Sequence, residues 1–291
     1  MAQVIQFSNS ILTPESIQDN MDKFYNYLIV YKCLKDSSIK VLCRIVSKAL
    51  LEMNSIFPTI TQMEEYMVWV HKQSFTYSYI NNIALSLERY AEFLKMSVKF
   101  GRKKKTRNVF KDVLTPAEVS IILAFTKTIK EKAILSLLAY SGLRNQEICN
   151  LKVEDIDFSN NQLIINLGKG DKNRVVNIDG LCINILYKYL KEYQKPNKEY
   201  LFTTIRHNNK YQTYIIRRLV KKVVKRTNIK KRVYPHLFRH SLACHLIENG
   251  ANIISVQNHL GHSCIETTMK YITANPRRVK LQYQNYVPSY L

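Results

Sequence analysis

No apolar stretch of this 291-residue chain reaches the roughly 18 uncharged residues that a membrane-spanning helix requires, which argues against a membrane-embedded class. Residues 1–9 lack the basic-then-apolar layout of a signal peptide, so the expectation is a protein that is not exported. The six cysteines, at positions 33, 43, 149, 182, 244 and 264, contain no CxxC pair and form no paired framework. They read as reduced core thiols in a cytosolic protein. There is no internal repeat and no low-complexity segment. Acid is scarce relative to base: 22 Asp and Glu stand against 44 Lys and Arg, a formal charge of +22. From Tyr200 to Leu246 neither Asp nor Glu occurs.

What is present rules out a disordered basic tail. With 46% apolar and 11% aromatic residues the chain can bury a sizeable core. The excess charge is concentrated in two places. Arg102, Lys103, Lys104, Lys105, Arg107 and Lys111 form one cluster, and the acid-free stretch holds a second that includes Arg217, Arg218, Lys221 and Lys222. A solvated helix face normally mixes signs, because like charges repel. A polyanion is the natural partner, with salt-dependent affinity through phosphate contacts. Charge alone does not choose between DNA and RNA.

Periodicity predicts two blocks. Thr13-Pro14 opens a helix whose stripe is Ile17, Met21, Phe24 and Leu28, and a second stripe runs Leu42, Ile45, Val46, Ala49, Leu50 and Met53. Thr61-x-x-Glu64 reads as a capping box for a third helix, and Ile80, Ile83, Leu87, Tyr90 and Leu94 mark a fourth. Residues 1–98 are therefore expected to be an N-terminal helical domain and 99–111 an exposed basic linker, leaving 112–291 as the second domain with its tail. There, Thr115-Pro116 starts helical pattern that runs to Tyr140, Ser141-Gly142 stops it, and 144–151 opens another helix. Short strands are expected at 155–158, 162–167 and 173–178, followed by helix almost to the end. The fold class is mainly α, with one small three-stranded antiparallel sheet.

Five of the seven histidines fall between 236 and 262, with Arg239 among them. Arg144 and Glu147 are three apart on a helix, as are His236 and Arg239, and Lys169 lies in a glycine-flanked turn. Singly these are commonplace. As a set, arginine forks, a lysine, histidines and a tyrosine suit metal-free phosphoryl transfer. Guanidinium groups stabilise the charge of five-coordinate phosphorus, a phenol can be the nucleophile, and an ammonium can protonate a leaving alkoxide.

The strings Ser141-Gly142-Leu143-Arg144-Asn145-Gln146-Glu147-Ile148, Gly168-Lys169-Gly170-Asp171-Lys172-Asn173-Arg174, Pro235-His236-Leu237-Phe238-Arg239-His240, Leu260-Gly261-His262-Ser263 and Thr267-Thr268-x-x-Tyr271 resemble the tyrosine recombinase (phage integrase) family, in order and spacing, across roughly 112–275. The N-terminal block resembles that family's core-binding domain by architecture alone, and the whole is similar to the two-domain plan of Xer and Cre-type enzymes or a transposon-borne resolvase.

The resemblance implies a catalytic set. Arg144 and Arg239 would grip the scissile phosphate, and His236 and His262 would hydrogen-bond it or move protons. Lys169, or else Lys172 in the same turn, would be the general acid. Tyr271 would form a 3′-phosphotyrosyl bond, with Glu147 supporting Arg144. It further implies site-specific recombination through a Holliday junction, no metal or other cofactor, and a homotetramer on two double-stranded DNA sites. Accessory DNA-binding proteins are further partners, and the location is the cytoplasm, at the nucleoid. Three other readings share some of these residues. They are a type IB topoisomerase-like relaxation, a non-enzymatic DNA-binding protein, and a metal-dependent nuclease built from His236, His240, Cys244, His245, His259 and His262.

Overall fold

A computed structural model describes residues 13–104, 112–166, 173–193, 199–204 and 209–261. The chain divides into two compact units, 1–109 and 110–291. The first contains α1 (Pro14–Lys32), α2 (Asp36–Met53), α3 (Ile60–Lys72) and α4 (Tyr77–Phe93). Thr13 caps α1 in a reciprocal box with Ser16, and Pro14 occupies the first turn, where its missing N–H costs nothing. The expected stripes meet in the core: Phe24, Leu28, Val46, Leu50, Met63 and Tyr90 are all fully buried. Inside it, Asn20 donates to the Tyr90 hydroxyl at 2.6 Å and Tyr90 donates to the Ile56 carbonyl at 2.6 Å, so this polar cluster is satisfied rather than orphaned.

Two local expectations need correction here. Helix α3 begins at Ile60, capped by Thr59 with Gln62, not by Thr61 with Glu64. Both pairs fit the same pattern, and the earlier one gives the helix about half a turn more. The start of the basic segment is also no free linker. Phe100 packs against the helical core, its N–H donates to Glu88 Oε1 at 2.8 Å, and Arg102 pairs with Glu88 Oε2 at 2.7 Å. Lys103 is tied through its backbone N–H to Asn81 at 2.8 Å. Lys105, Arg107 and Lys111 lie outside the described residues.

The second unit runs α5 (Pro116–Ala124), α6 (Ile129–Tyr140), α7 (Asn145–Asn150), β1 (Ile156–Asp157), β2 (Gln162–Ile165), β3 (Arg174–Asn177), α8 (Gly180–Tyr193), α9 (Thr213–Val224), α10 (Pro235–Glu248) and α11 (Ile253–Leu260). The three strands form an antiparallel meander with Ile156 opposite Leu163 and Ile165 opposite Arg174. Leu163, Ile165 and Val176 point into the core while Ile164 and Val175 face out, the period of two that a half-buried sheet demands. The helical pattern before Tyr140 is two helices, because Thr128 caps a new start by accepting from the Glu131 N–H at 3.1 Å. Nor does the chain stay helical after α8. Isolated bridges pair Lys152 with Tyr200 and Thr203 with Lys210 ahead of α9. The cysteines are only partly core: Cys33 is exposed and Cys43 half-buried, while burial pushes the Cys149 and Cys244 thiols up to about 11 and Cys182 to about 12. Among the described residues no helix is long and apolar enough to cross a membrane.

Glu131 also ties α6 to α9. Arg226 grips its carboxylate at 2.6 and 3.0 Å, outweighs the cost of burial, and holds the group at about 2 against an ordinary 4.5. A depressed carboxylate contributes stability above the unfolded value and loses it as pH falls through the folded one. Glu131→Gln should therefore cost about 3 kcal/mol at neutral pH. Its deficit relative to wild type should shrink as pH drops from 4.5 toward 2. Urea unfolding at pH 7 and pH 3 checks this, and a pH-independent difference would contradict the ion-pair account.

Candidate active site

The C-terminal end of α11 is where distant parts of the second unit meet. A helix end leaves its last carbonyls without intrahelical donors and carries partial negative charge. Here three consecutive carbonyls each accept from a different guanidinium. Arg174 Nε donates to His259 at 3.3 Å, Arg239 Nη2 to Leu260 at 2.7 Å, and Arg144 Nη2 to Gly261 at 2.7 Å. Arg144 is the N-cap of α7, Arg174 opens β3, and Arg239 lies one turn into α10.

Two glycines make the approach possible. Gly142, with φ +62°, follows α6 and lends its carbonyl to Arg239 Nη1 at 2.8 Å, and a Cβ there would sit 2.7 Å from Leu260 Cδ2. Gly261, with φ +66°, terminates α11, and a Cβ would lie 2.8 Å from Arg174 Cδ. Both positions combine a left-handed backbone with no room for a side chain.

Glu147 holds two of the arginines. Its side chain is only 8% exposed and accepts from Arg144 Nη1 at 2.8 Å, from the Arg144 N–H at 2.7 Å, and from Arg174 Nη1 and Nη2 at 2.9 Å each. Burial works to raise this carboxyl, but the Arg174 fork and the Arg144 bonds outweigh it and keep it below the usual carboxylate value. His259 packs beside the set, donating from Nε2 to the Ser141 carbonyl at 3.2 Å. Burial lowers its pKa against that bond, and the charges of Arg174 and Arg239 lower it further.

The arginines differ in access. Arg144 keeps 42% of its side chain exposed, Arg174 10%, and Arg239 is 1% exposed. His236, at the start of α10, is exposed, whereas His240 on the same helix is buried. Arg144 thus offers an open guanidinium face, held in place by Glu147 and Gly261, to an anionic ligand.

Residues 112–278 match the model of the phage integrase family. The chain is 31% identical to a tyrosine recombinase of Pseudothermotoga lettingae over 87% of its own length and 92% of that protein. This chain belongs to the tyrosine recombinases. It is similarly 32% identical to tyrosine recombinase XerA of Pyrococcus horikoshii, covering 90% of this chain and 91% of XerA. Among solved structures, the tyrosine recombinase fold recurs in the Tn1549 transposon integrase in complex with transposon right end DNA. That structure has a TM-score of 0.71 at 21% identity, over 92% of this chain and 99% of that one.

For this recombinase the structure brings together Arg144, Glu147 and Arg239, with His236 on the same helix as Arg239. Lys169, Lys172, His262 and Tyr271 lie outside the described residues. Two members of the cluster were not expected from sequence. Arg174 closes the glycine-lysine string with no role implied for it there, and His259 enters only among the possible metal ligands. The weak signal for Arg174 was a basic residue at the mouth of the lysine-bearing hairpin.

Of the basic residues expected on nucleic acid, Arg217, Arg218, Lys221 and Lys222 lie exposed on one side of α9, while Ile216, Val220 and Val223 bury the other. Arg217 folds back onto Thr213 Oγ1 at 3.0 Å, and Lys222 approaches Glu131 at 3.4 Å with 69% of its side chain exposed. Arg102 is partly occupied by Glu88, while Lys103 and Lys104 are exposed.

Proposed function

We propose that this recombinase cuts and rejoins specific sites in double-stranded DNA through a 3′-phosphotyrosyl intermediate, exchanging strands by way of a Holliday junction. The observation that carries the reading is the anchoring of three guanidinium groups on the end of α11, with Arg144 left open to an anion. The next residue along the chain is His262, and Tyr271 follows nine positions later.

In this reading Arg144 and Arg239 bind the non-bridging oxygens of the scissile phosphate and stabilise its added charge in the transition state. The Tyr271 oxygen attacks phosphorus, its proton passing to His236 or His262. The bond to the 5′ oxygen breaks, and that oxygen takes a proton from Lys169, with Lys172 the other lysine of the turn. Rejoining is the reverse: a 5′ hydroxyl attacks the phosphotyrosyl bond and releases the phenol. No metal enters these steps. Residues 1–98 act as the core-binding domain, and 112–291 as the catalytic domain. Arg102, Lys103, Lys104, Lys105 and Arg107, with the exposed cations of α9, meet DNA phosphates. One tyrosine makes one covalent bond, so exchanging both strands of two duplexes calls for four subunits, a homotetramer.

A nicked duplex carrying the recognition site tests the reading. The short 5′-hydroxyl fragment diffuses away after cleavage, so a covalent protein–DNA adduct should accumulate, in chelator as well as without it. Proteolysis should leave the DNA 3′ end on a peptide containing Tyr271. An adduct on the 5′ end, or cleavage that stops in chelator, would sink it.

A further inference from the structure

Glu147 poses an electrostatic problem if Arg144 is to hold a phosphate. A buried carboxylate 2.8 Å from Arg144 orients that guanidinium but also offsets its charge. An isolated Arg144–Glu147 pair would present little net field to an anion. The described structure contains a second cation on the same carboxylate. Arg174 grips both Glu147 oxygens at 2.9 Å, and its Nε is spent on the His259 carbonyl at 3.3 Å. All three of its nitrogens donate within the protein, and both Nη groups are committed to Glu147, which places Arg174 to serve that carboxylate.

We infer that Arg174 is a positioning and charge-balancing residue: it neutralises Glu147, so that Glu147 orients Arg144 without cancelling the charge that Arg144 brings to the scissile phosphate. The inference rests on the phosphate-binding reading of Arg144 above. Two guanidinium groups on one carboxylate leave a net positive charge, and the only exposed face of that trio belongs to Arg144, with 42% of its side chain accessible. Planar geometry matters as well, since a lysine ammonium at the same position could not bridge both carboxylate oxygens and reach His259.

The test measures single-turnover cleavage of nicked site DNA by wild type, Arg174→Gln and Arg174→Lys, with rates normalised to the fraction of chain that binds DNA. Arg174→Gln removes the charge and should cleave an ordinary phosphodiester about 10²-fold more slowly, the size of effect seen when one transition-state donor is lost. Arg174→Lys keeps the charge and should lose less. On a methylphosphonate at the scissile position, which carries no charge for Arg144 to neutralise, the gap between wild type and Arg174→Gln should close to within a few-fold. A merely structural role would slow both substrates equally.

An undiminished gap on methylphosphonate, or wild-type rates for Arg174→Gln on the phosphodiester, would overturn the inference. So would recovery of Arg174→Gln on a 5′-bridging phosphorothioate, because that places the defect in proton donation. If Arg174→Gln does not fold, the same comparison made with Arg174→Met, which also removes the charge, decides on the same criteria. Failure of wild type itself to form an adduct would instead reject the recombinase mechanism, which keeps the two conclusions separable.

Discussion

Tyr271→Phe is expected to bind site DNA as tightly as wild type and to form no covalent adduct at any time of incubation. The substitution removes one oxygen and nothing else, so Arg144, Arg239 and the basic face of α9 keep their charges. Affinity for DNA is dominated by those charges, and one phenol makes little difference to it. Chemistry, in contrast, has no substitute for the nucleophile. The expected loss is therefore complete within detection, with binding intact. Gel shift and denaturing-gel adduct assays on one nicked substrate measure both. Tyr283 and Tyr286 lie close by in sequence. An adduct that persisted in Tyr271→Phe and vanished in Tyr283→Phe or Tyr286→Phe would move the nucleophile.

The next largest effect concerns the leaving group. An unprotonated 5′ alkoxide leaves slowly at neutral pH, and general acid help is worth about 10²–10⁴-fold. Lys169→Ala should bind DNA nearly normally, since it removes one of 44 basic side chains, and should cleave slower by that factor. Replacing the bridging 5′ oxygen with sulfur gives a leaving group that needs no acid. That substrate should restore Lys169→Ala and leave Tyr271→Phe dead. It should restore Arg144→Ala only poorly, because a better leaving group does not replace lost stabilisation of charge on phosphorus. Sulfur rescue of Lys172→Ala in place of Lys169→Ala would reassign the acid, and rescue of neither would end the lysine assignment.

These two predictions depend on roles that the family resemblance implies, while the Arg174 experiment depends on contacts. The difference reflects how each kind of information is encoded. Apolar stripes, caps and turn residues act within a few positions, so Thr13, Thr115 and the Ser141-Gly142 stop are readable directly, as are the three short strands and the turns between them. Where two local signals compete, locality does not arbitrate. Thr59 and Thr61 each begin a valid capping box, and only the folded chain selects Thr59. Charge runs show the same limit. Arg102 looks like a free phosphate binder in the sequence, yet Glu88 holds it in an ion pair.

The sequence by itself determined the helical class, the small sheet, and the family to which the chain belongs, because periodicity, capping and motif order are properties of neighbouring residues. Only the tertiary structure decided which arginines share a carboxylate and which helix end they anchor. Arg144 meets Gly261 across 117 positions, Arg239 meets Gly142 across 97, and Arg174 meets Glu147 across 27. Such pairings depend on how α6, α7, α10, α11 and β3 pack, and no local pattern carries that information. Packing brings the three guanidinium groups to the three carbonyls that a helix end leaves without intrahelical donors, and it leaves Arg144 the most exposed of them.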